Sequence, residues 1–95
     1  MIKAIVLDPA DNVATVLDDV PQGAKLLITG EGTASRELAA RGAIPFGHKI
    51  ALTDFARGDN VIKYGEVIGV TSAPISAGDH VHIHNIVSPR FALEK

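Results

Sequence analysis

The sequence predicts a small all-β domain, and three observations carry that reading. Short stretches rich in Val and Ile alternate with turn formers, and nine glycines and five prolines are spread over 95 residues. Such spacing gives short strands joined by tight turns. Apolar residues make up 46% and charged residues 21%, the balance of a folded chain and not of a disordered one. A turn motif also recurs three times: an apolar residue, two others, glycine, two others, then another apolar residue. It reads Val20-Pro21-Gln22-Gly23-Ala24-Lys25-Leu26, Ile44-Pro45-Phe46-Gly47-His48-Lys49-Ile50 and Ile75-Ser76-Ala77-Gly78-Asp79-His80-Val81. A type II turn explains it, because proline presets φ at the second position and glycine supplies positive φ near the end. The copies fall at unequal intervals, so they are repeated turn chemistry and not a solenoid period. The length suits one domain, residues 1–95, with a single modest core. Aromatics at 4% and the absence of Trp leave that core to Val, Ile, Leu and Ala.

Ile2 to Leu7 is strongly β-favouring, Asp8 to Asn12 is rich in turn formers, and Val13 to Leu17 reads as a second strand. The opening is therefore expected to be a hairpin. Asp18 to Gly23 turns into a third strand from Lys25 to Thr29, and Gly30-Glu31-Gly32-Thr33 breaks the pattern. Ser35 to Arg41 is the segment with good helical propensity, with Thr33 or Ser35 as its cap and Gly42 as its stop. At two turns it would need packing to hold it, and an irregular or extended connection is the alternative. Ile44 to Gly47 turns into a strand from Lys49 to Leu52; Thr53 to Asp59 is a loop or single turn with Gly58-Asp59 as its tight end, and Asn60 to Lys63 a short strand. Tyr64-Gly65-Glu66 turns into Val67 to Thr71, where Gly69 marks a bulge or a close backbone approach. After the loop from Ser72 to Asp79 comes a histidine-bearing strand, then an interruption at Ser88-Pro89-Arg90 and a tail from Phe91 to Lys95.

Several classes of function are disfavoured at once. A net charge of −2 argues against nucleic acid as the main partner, since phosphate binding needs clustered positive charge. No apolar run approaches the ~18 residues of a membrane span, and the start lacks the pattern of a signal peptide. With no cysteine there are no disulfides, thiolate metal sites or cysteine nucleophiles, which fits a cytoplasmic protein.

The most pointed local signal is Gly78-Asp79-His80-Val81-His82-Ile83-His84-Asn85, with imidazoles at i, i+2 and i+4. On a strand these three share one face, and Val81 and Ile83 point into the core. Imidazoles so placed can chelate a divalent metal or bind an oxyanion; a surface strand that is merely histidine-rich is the plainer alternative. No HExxH pattern supports a free-standing zinc hydrolase. His48-Lys49 follows Gly47 at a strand entrance, where it could bind a carboxylate and poise an acid or base, or stand as turn and edge residues. Lys63-Tyr64 has the same two readings. Gly30-x-Gly32 is too short for a phosphate loop, and none of Ser35, Ser72, Ser76 or Ser88 sits in a nucleophile elbow.

With those residues in view, the chain resembles the SAF-type β-clip domain at the N-terminus of the altronate and galactarate dehydratase family, including the alpha subunit of sulfolactate sulfo-lyase. The resemblance rests on Pro45-Phe46-Gly47-His48-Lys49-Ile50-Ala51-Leu52, on Val61-Ile62-Lys63-Tyr64-Gly65 followed by Ile68-Gly69, and on Gly78 with Val81-His82-Ile83-His84-Asn85-Ile86. These motifs span residues 44–86. The resemblance implies a small β-clip fold and elimination of water, or of sulfite, from a sugar acid or sulfo/hydroxy acid. It implies a large catalytic subunit as partner, and a divalent metal, iron by preference, held mainly by that subunit. Carried onto this sequence, His48, His82 and His84 are the candidate catalytic residues, and Lys49, Lys63 and Asn85 the candidate substrate-binding ones. His80 lies on the same inferred face but outside the pattern. No large domain follows residue 95, so the chain is expected to be inactive alone, as a natural subunit or an excised domain. A non-catalytic binding or assembly module is the alternative, and exposed strand edges make self-association possible.

Overall fold

The computed structural model describes residues 1–30, 32 and 34–88, and among these described residues there are nine short strands. They are β1 (Ile2–Val6), β2 (Val13–Val16), β3 (Lys25–Gly30), β4 (Arg36–Ala39), β5 (Lys49–Ala51), β6 (Asn60–Lys63), β7 (Glu66–Thr71), β8 (His80–Val81) and β9 (Ile86–Val87). Six form a sheet in the order β4-β3-β1-β2-β5-β8, and three form a second sheet, β6-β7-β9. The chain is all-β, as expected. The opening hairpin is present, with Ala4 opposite Val16 and Ile5 opposite Thr15. One pairing had no local signal: β3 runs parallel to β1, from Ile2 opposite Leu26 to Val6 opposite Gly30.

Ser35 to Arg41 is extended, not helical. Arg36–Ala39 pairs antiparallel with β3, which sets Leu38 opposite the buried Leu26. A segment this short cannot sustain a helix alone, and pairing with β3 satisfies its backbone instead. The suggested cap Thr33 lies outside the described residues, as do Glu31, Pro89-Arg90 and the tail from Phe91 to Lys95. No helix among the described residues is long and apolar enough to cross a membrane.

The buried apolar residues fall into two clusters, where the length had suggested one core. Ala4, Val6, Ala14, Val16, Leu26, Ile28 and Ile50 belong to the first. Val13, Ala51, Phe55, Val61, Ile75 and Val81 form the second. Strand alternation explains the division: neighbours such as Val13 and Ala14, or Ile50 and Ala51, project to opposite faces. Strands β2 and β5 are thus covered on both sides.

Four type II turns, not three, tie these strands together. Ala24, His48, Asp59 and Asp79 each donate a backbone N–H to the carbonyl three residues earlier, at 2.9–3.2 Å. The third residue of each turn is a glycine with φ between 81° and 93°. Where proline is present, at Pro21 and Pro45, it stands first in the turn and not second, because its carbonyl accepts the closing bond. The turns interlock in pairs through reciprocal backbone bonds, Val20 with Ile44 and Phe55 with Ile75. Each turn glycine also donates to the strand end before its partner loop: Gly23 to Ala40, Gly47 to Val16, Gly58 to Thr71 and Gly78 to Ala51. The same half-turn exchange therefore occurs twice in the chain. It carries His48 to one side of β5 and His80 to the edge strand next to it.

Gly69 fulfils both readings made for it. The register shifts around it, since Val61 faces Gly69 while Ile62 faces Val67, leaving Ile68 as the extra residue. A Cβ on Gly69 would stand 3.0 Å from the Val87 carbonyl oxygen, so β9 can approach there.

Candidate functional site

The histidine strand is shorter than the alternation suggests. Strand β8 ends at Val81, and residues 82–85 form a turn into β9. Val81 is buried as expected, but Ile83 is 82% exposed and does not enter the core. Asn85 causes the turn. Its Oδ1 accepts the His82 N–H at 3.0 Å, its Nδ2 donates to the His80 carbonyl at 2.8 Å, and its own N–H donates to the His82 carbonyl at 3.1 Å. The Asn85 amide is thus committed to the backbone on both sides of Val81. It positions the imidazoles.

The curled segment still gathers three rings, together with one from a distant loop. His48 Nδ1 and His80 Nε2 are 2.8 Å apart. The His48 and His82 rings stack with centroids 3.9 Å apart and planes inclined by 19°. His80 and His82 are nearly coplanar in orientation at 5.7 Å, and the exposed His84 tilts toward His80 at 4.9 Å. His80, which the family pattern left aside, stands at the centre. Its i−2 spacing to His82 and its place directly after a turn-ending residue were the signals that could have found it.

His48 is placed by chemistry that differs from its counterparts. In the second pair of turns the equivalent positions are Asp59 and Asp79, whose carboxylates accept the N–H groups of Ala56 and Ser76 at 2.7 Å. An imidazole at that position lies instead against His80 and His82. Gly47 sets the turn, and the Val16 N–H donates to the His48 carbonyl at 3.0 Å, fixing the backbone beneath the ring.

The electrostatics favour the unprotonated form of His80 and His82. His80 is held below the usual imidazole range by burial and then by the neighbouring His84, His48, His82 and Lys49. His82 is lowered by desolvation, then by His48, Lys49 and His84. Burial and Lys63 likewise lower Lys49. Mutual repulsion of this kind means that the candidate cations share one region of the surface. Lys63 lies at the end of β6, its Nζ 6.0 Å from the centre of the Tyr64 ring. The two-residue turn there has φ of 58° at Tyr64 and 72° at Gly65, a type I′ geometry. Asp11 Oδ1 accepts the Gly65 N–H at 2.9 Å and Asn12 Oδ1 the Ile62 N–H at 2.7 Å, so the Asp11-Asn12 loop anchors this hairpin.

Two shallow depressions open on His80. One of about 270 Å³ is lined by Arg41, Pro74, Asp79, His84 and Asn85, and one of about 500 Å³ by Val20, Pro21, Ile44 and Pro45. Asp79 is not a free carboxylate there: Oδ1 meets Arg41 Nε at 3.3 Å, while Oδ2 takes the Ser76 N–H. Among the described residues, His48, His80 and His82 can each offer one ligand atom within 4.8 Å of the others. This donor set fits a divalent ion that favours nitrogen.

Comparison with known proteins gives this geometry a family context. The family model of the altronate/galactarate dehydratase SAF domain matches residues 2–89. Altronate dehydratase of Escherichia coli (strain K12) is 48% identical over 75 residues, covering 79% of this chain and 14% of that enzyme. The chain therefore spans only about a seventh of the length of that relative. (2R)-sulfolactate sulfo-lyase subunit alpha of Chromohalobacter salexigens is 34% identical over 93 residues, covering 95% of this chain and 98% of that subunit. Its counterpart in Paracoccus pantotrophus is 42% identical over 65 residues, covering 68% of this chain and 96% of that subunit.

Proposed function

The chain belongs to the altronate/galactarate dehydratase SAF-domain family, and from that membership we propose that it is the small, non-autonomous subunit of a two-component lyase. The substrate class is a sugar acid such as altronate or galactarate, or a related sulfo or hydroxy acid. The observation that carries this reading is the match in extent to a sulfo-lyase alpha subunit, 98% of which the chain covers. The homologous segment in altronate dehydratase is joined to a far longer chain.

Elimination beside a carboxylate needs a base, an acid for the leaving group and positive charge near the developing enolate. This chain offers part of that set. Imidazoles at His48, His82 and His84 can take up or pass on a proton, and Lys49 and Lys63 attract the carboxylate or sulfonate. Asn85 acts by holding His80 and His82 in place. The large subunit supplies the remaining groups and covers the site.

The test is recovery of the native complex followed by reconstitution. A dehydratase-like large subunit should co-purify with the chain. In the reconstituted enzyme, His82→Ala and His84→Ala should each lower turnover roughly 100-fold or more, the range of acid–base contributions. Unchanged turnover removes the catalytic role. Failure to recover any large partner at native expression favours the non-catalytic binding module instead.

A further inference from the structure

We propose that His48, His80 and His82 form, on this chain itself, a binding site for one divalent transition-metal ion of the zinc, cobalt, nickel or iron(II) class. Their three ligand nitrogens lie within 4.8 Å of one another. Nitrogens bound to one such ion at about 2.0–2.1 Å stand roughly 3 to 3.5 Å apart. His48 Nδ1 and His80 Nε2, at 2.8 Å, are already near that separation; His82, whose ring is stacked on His48 with centroids 3.9 Å apart, turns out of that stack to close from within 4.8 Å. Without an ion, the first pair shares a proton in an N–H···N hydrogen bond. With an ion, both nitrogens turn lone pairs toward the metal and the proton sits on the other ring nitrogen. No atom is gained or lost in that exchange.

The rings are prepared for this by their supports. His48 is fixed by its type II turn, His80 by pairing with Ile50 on the sheet edge, and His82 by the Asn85 clamp. Outer contacts of this kind orient ligands at metal sites. The donor set contains no carboxylate, which disfavours Mg²⁺ and Ca²⁺. Three protein ligands leave positions open on the ion, the pattern of reactive rather than closed structural sites. Both depressions reach His80, so an oxygen of an acidic ligand has a path to those positions. When bound, the ion would supply Lewis-acid polarisation. The family resemblance assigned metal chiefly to a large subunit; the geometry gives this chain a ligand set of its own. Ion binding requires no partner, so its test is separate from that of the lyase reading; an ion held here would take up the His48 and His82 lone pairs and leave proton transfer to His84.

The experiment strips the full 95-residue chain with a chelator, then titrates it with Co²⁺ and Zn²⁺ by calorimetry and visible absorption. One ion per chain is expected, with ligand-field bands of nitrogen-coordinated Co²⁺. His48→Ala, His80→Ala and His82→Ala should each weaken binding at least ~100-fold, the upper end of losses seen even for outer-shell changes. His84→Ala should bind as the parent does. Circular dichroism checks each variant; should His80→Ala fail to fold, His82→Ala, outside the strand, decides. Absence of saturable binding, more than one ion per chain, or an equal loss in His84→Ala overturns the proposal.

Discussion

At His80 and His82 the same crowding that brings the rings together resists their protonation. Both are lowered from the ordinary value of 6.5, His80 by burial first and His82 by desolvation first. The unfolded chain consequently binds protons more readily than the folded one as pH falls below 6.5. Stability should be unaffected by these rings above that pH and should decline as pH drops through 6.5 toward their lowered midpoints. Urea titrations of the chelator-treated chain at pH 7.5 and 5.5 should show this decline. It should be smaller in a variant carrying both His80→Ala and His82→Ala. Ring-proton NMR gives the direct check, and midpoints at or above 6.5 would contradict it. His48, His84 and Lys49 are the facing groups whose charge adds to the effect of desolvation.

Turns are the elements that the sequence displayed most openly. Their apolar-x-x-Gly pattern is visible in three copies, two of which carry proline. The fourth, Phe55-Ala56-Arg57-Gly58-Asp59-Asn60-Val61, lacks it and sits inside what reads as a loop. How the turns pair was not legible, since Val20–Ile44 and Phe55–Ile75 are contacts between distant segments. Nor could alternation alone reveal that Asn85 closes a turn across the histidine run, which returns Ile83 to solvent while keeping His80 and His82 together. The propensity of Ser35 to Arg41 likewise lost to pairing with β3. Two turn glycines now separate backbone strain from crowding. Gly47, at φ 81°, has open space where a Cβ would go, whereas a Cβ on Gly78, at φ 93°, would stand 2.5 Å from the Ala39 carbonyl oxygen. Gly47→Ala should cost about 1–2 kcal/mol from the left-handed backbone alone. Gly78→Ala should cost clearly more, because the Ala39 end of β4 must also shift. With ~4–8 °C per kcal/mol for a domain of this size, thermal melts resolve the two. Equal losses would mean that the close approach to Ala39 is relaxed without cost.

For the whole molecule, the decisive feature is where large apolar side chains remain uncovered. Phe46, Tyr64 and Ile83 are 65%, 66% and 82% exposed. Each lies within two residues of a candidate site group: Phe46 before His48, Tyr64 after Lys63, and Ile83 between His82 and His84. An apolar fringe around polar groups suits a surface that a partner covers, since it excludes water from the charges it surrounds. The position of Ile83 makes it the sharpest probe. So exposed a side chain contributes little to folding, and Ile83→Asp should leave the midpoint of unfolding within about 0.5 kcal/mol of the parent. In a complex with the large subunit the new carboxylate would be buried beside whatever Ile83 contacts. Association should then weaken about tenfold or more, the 1.4 kcal/mol or greater expected of a central contact. Co-elution of labelled chain with the large subunit at graded concentrations measures the change. Undiminished association would mean that the imidazole edge faces solvent in the complex, and the site would have to be completed from another side.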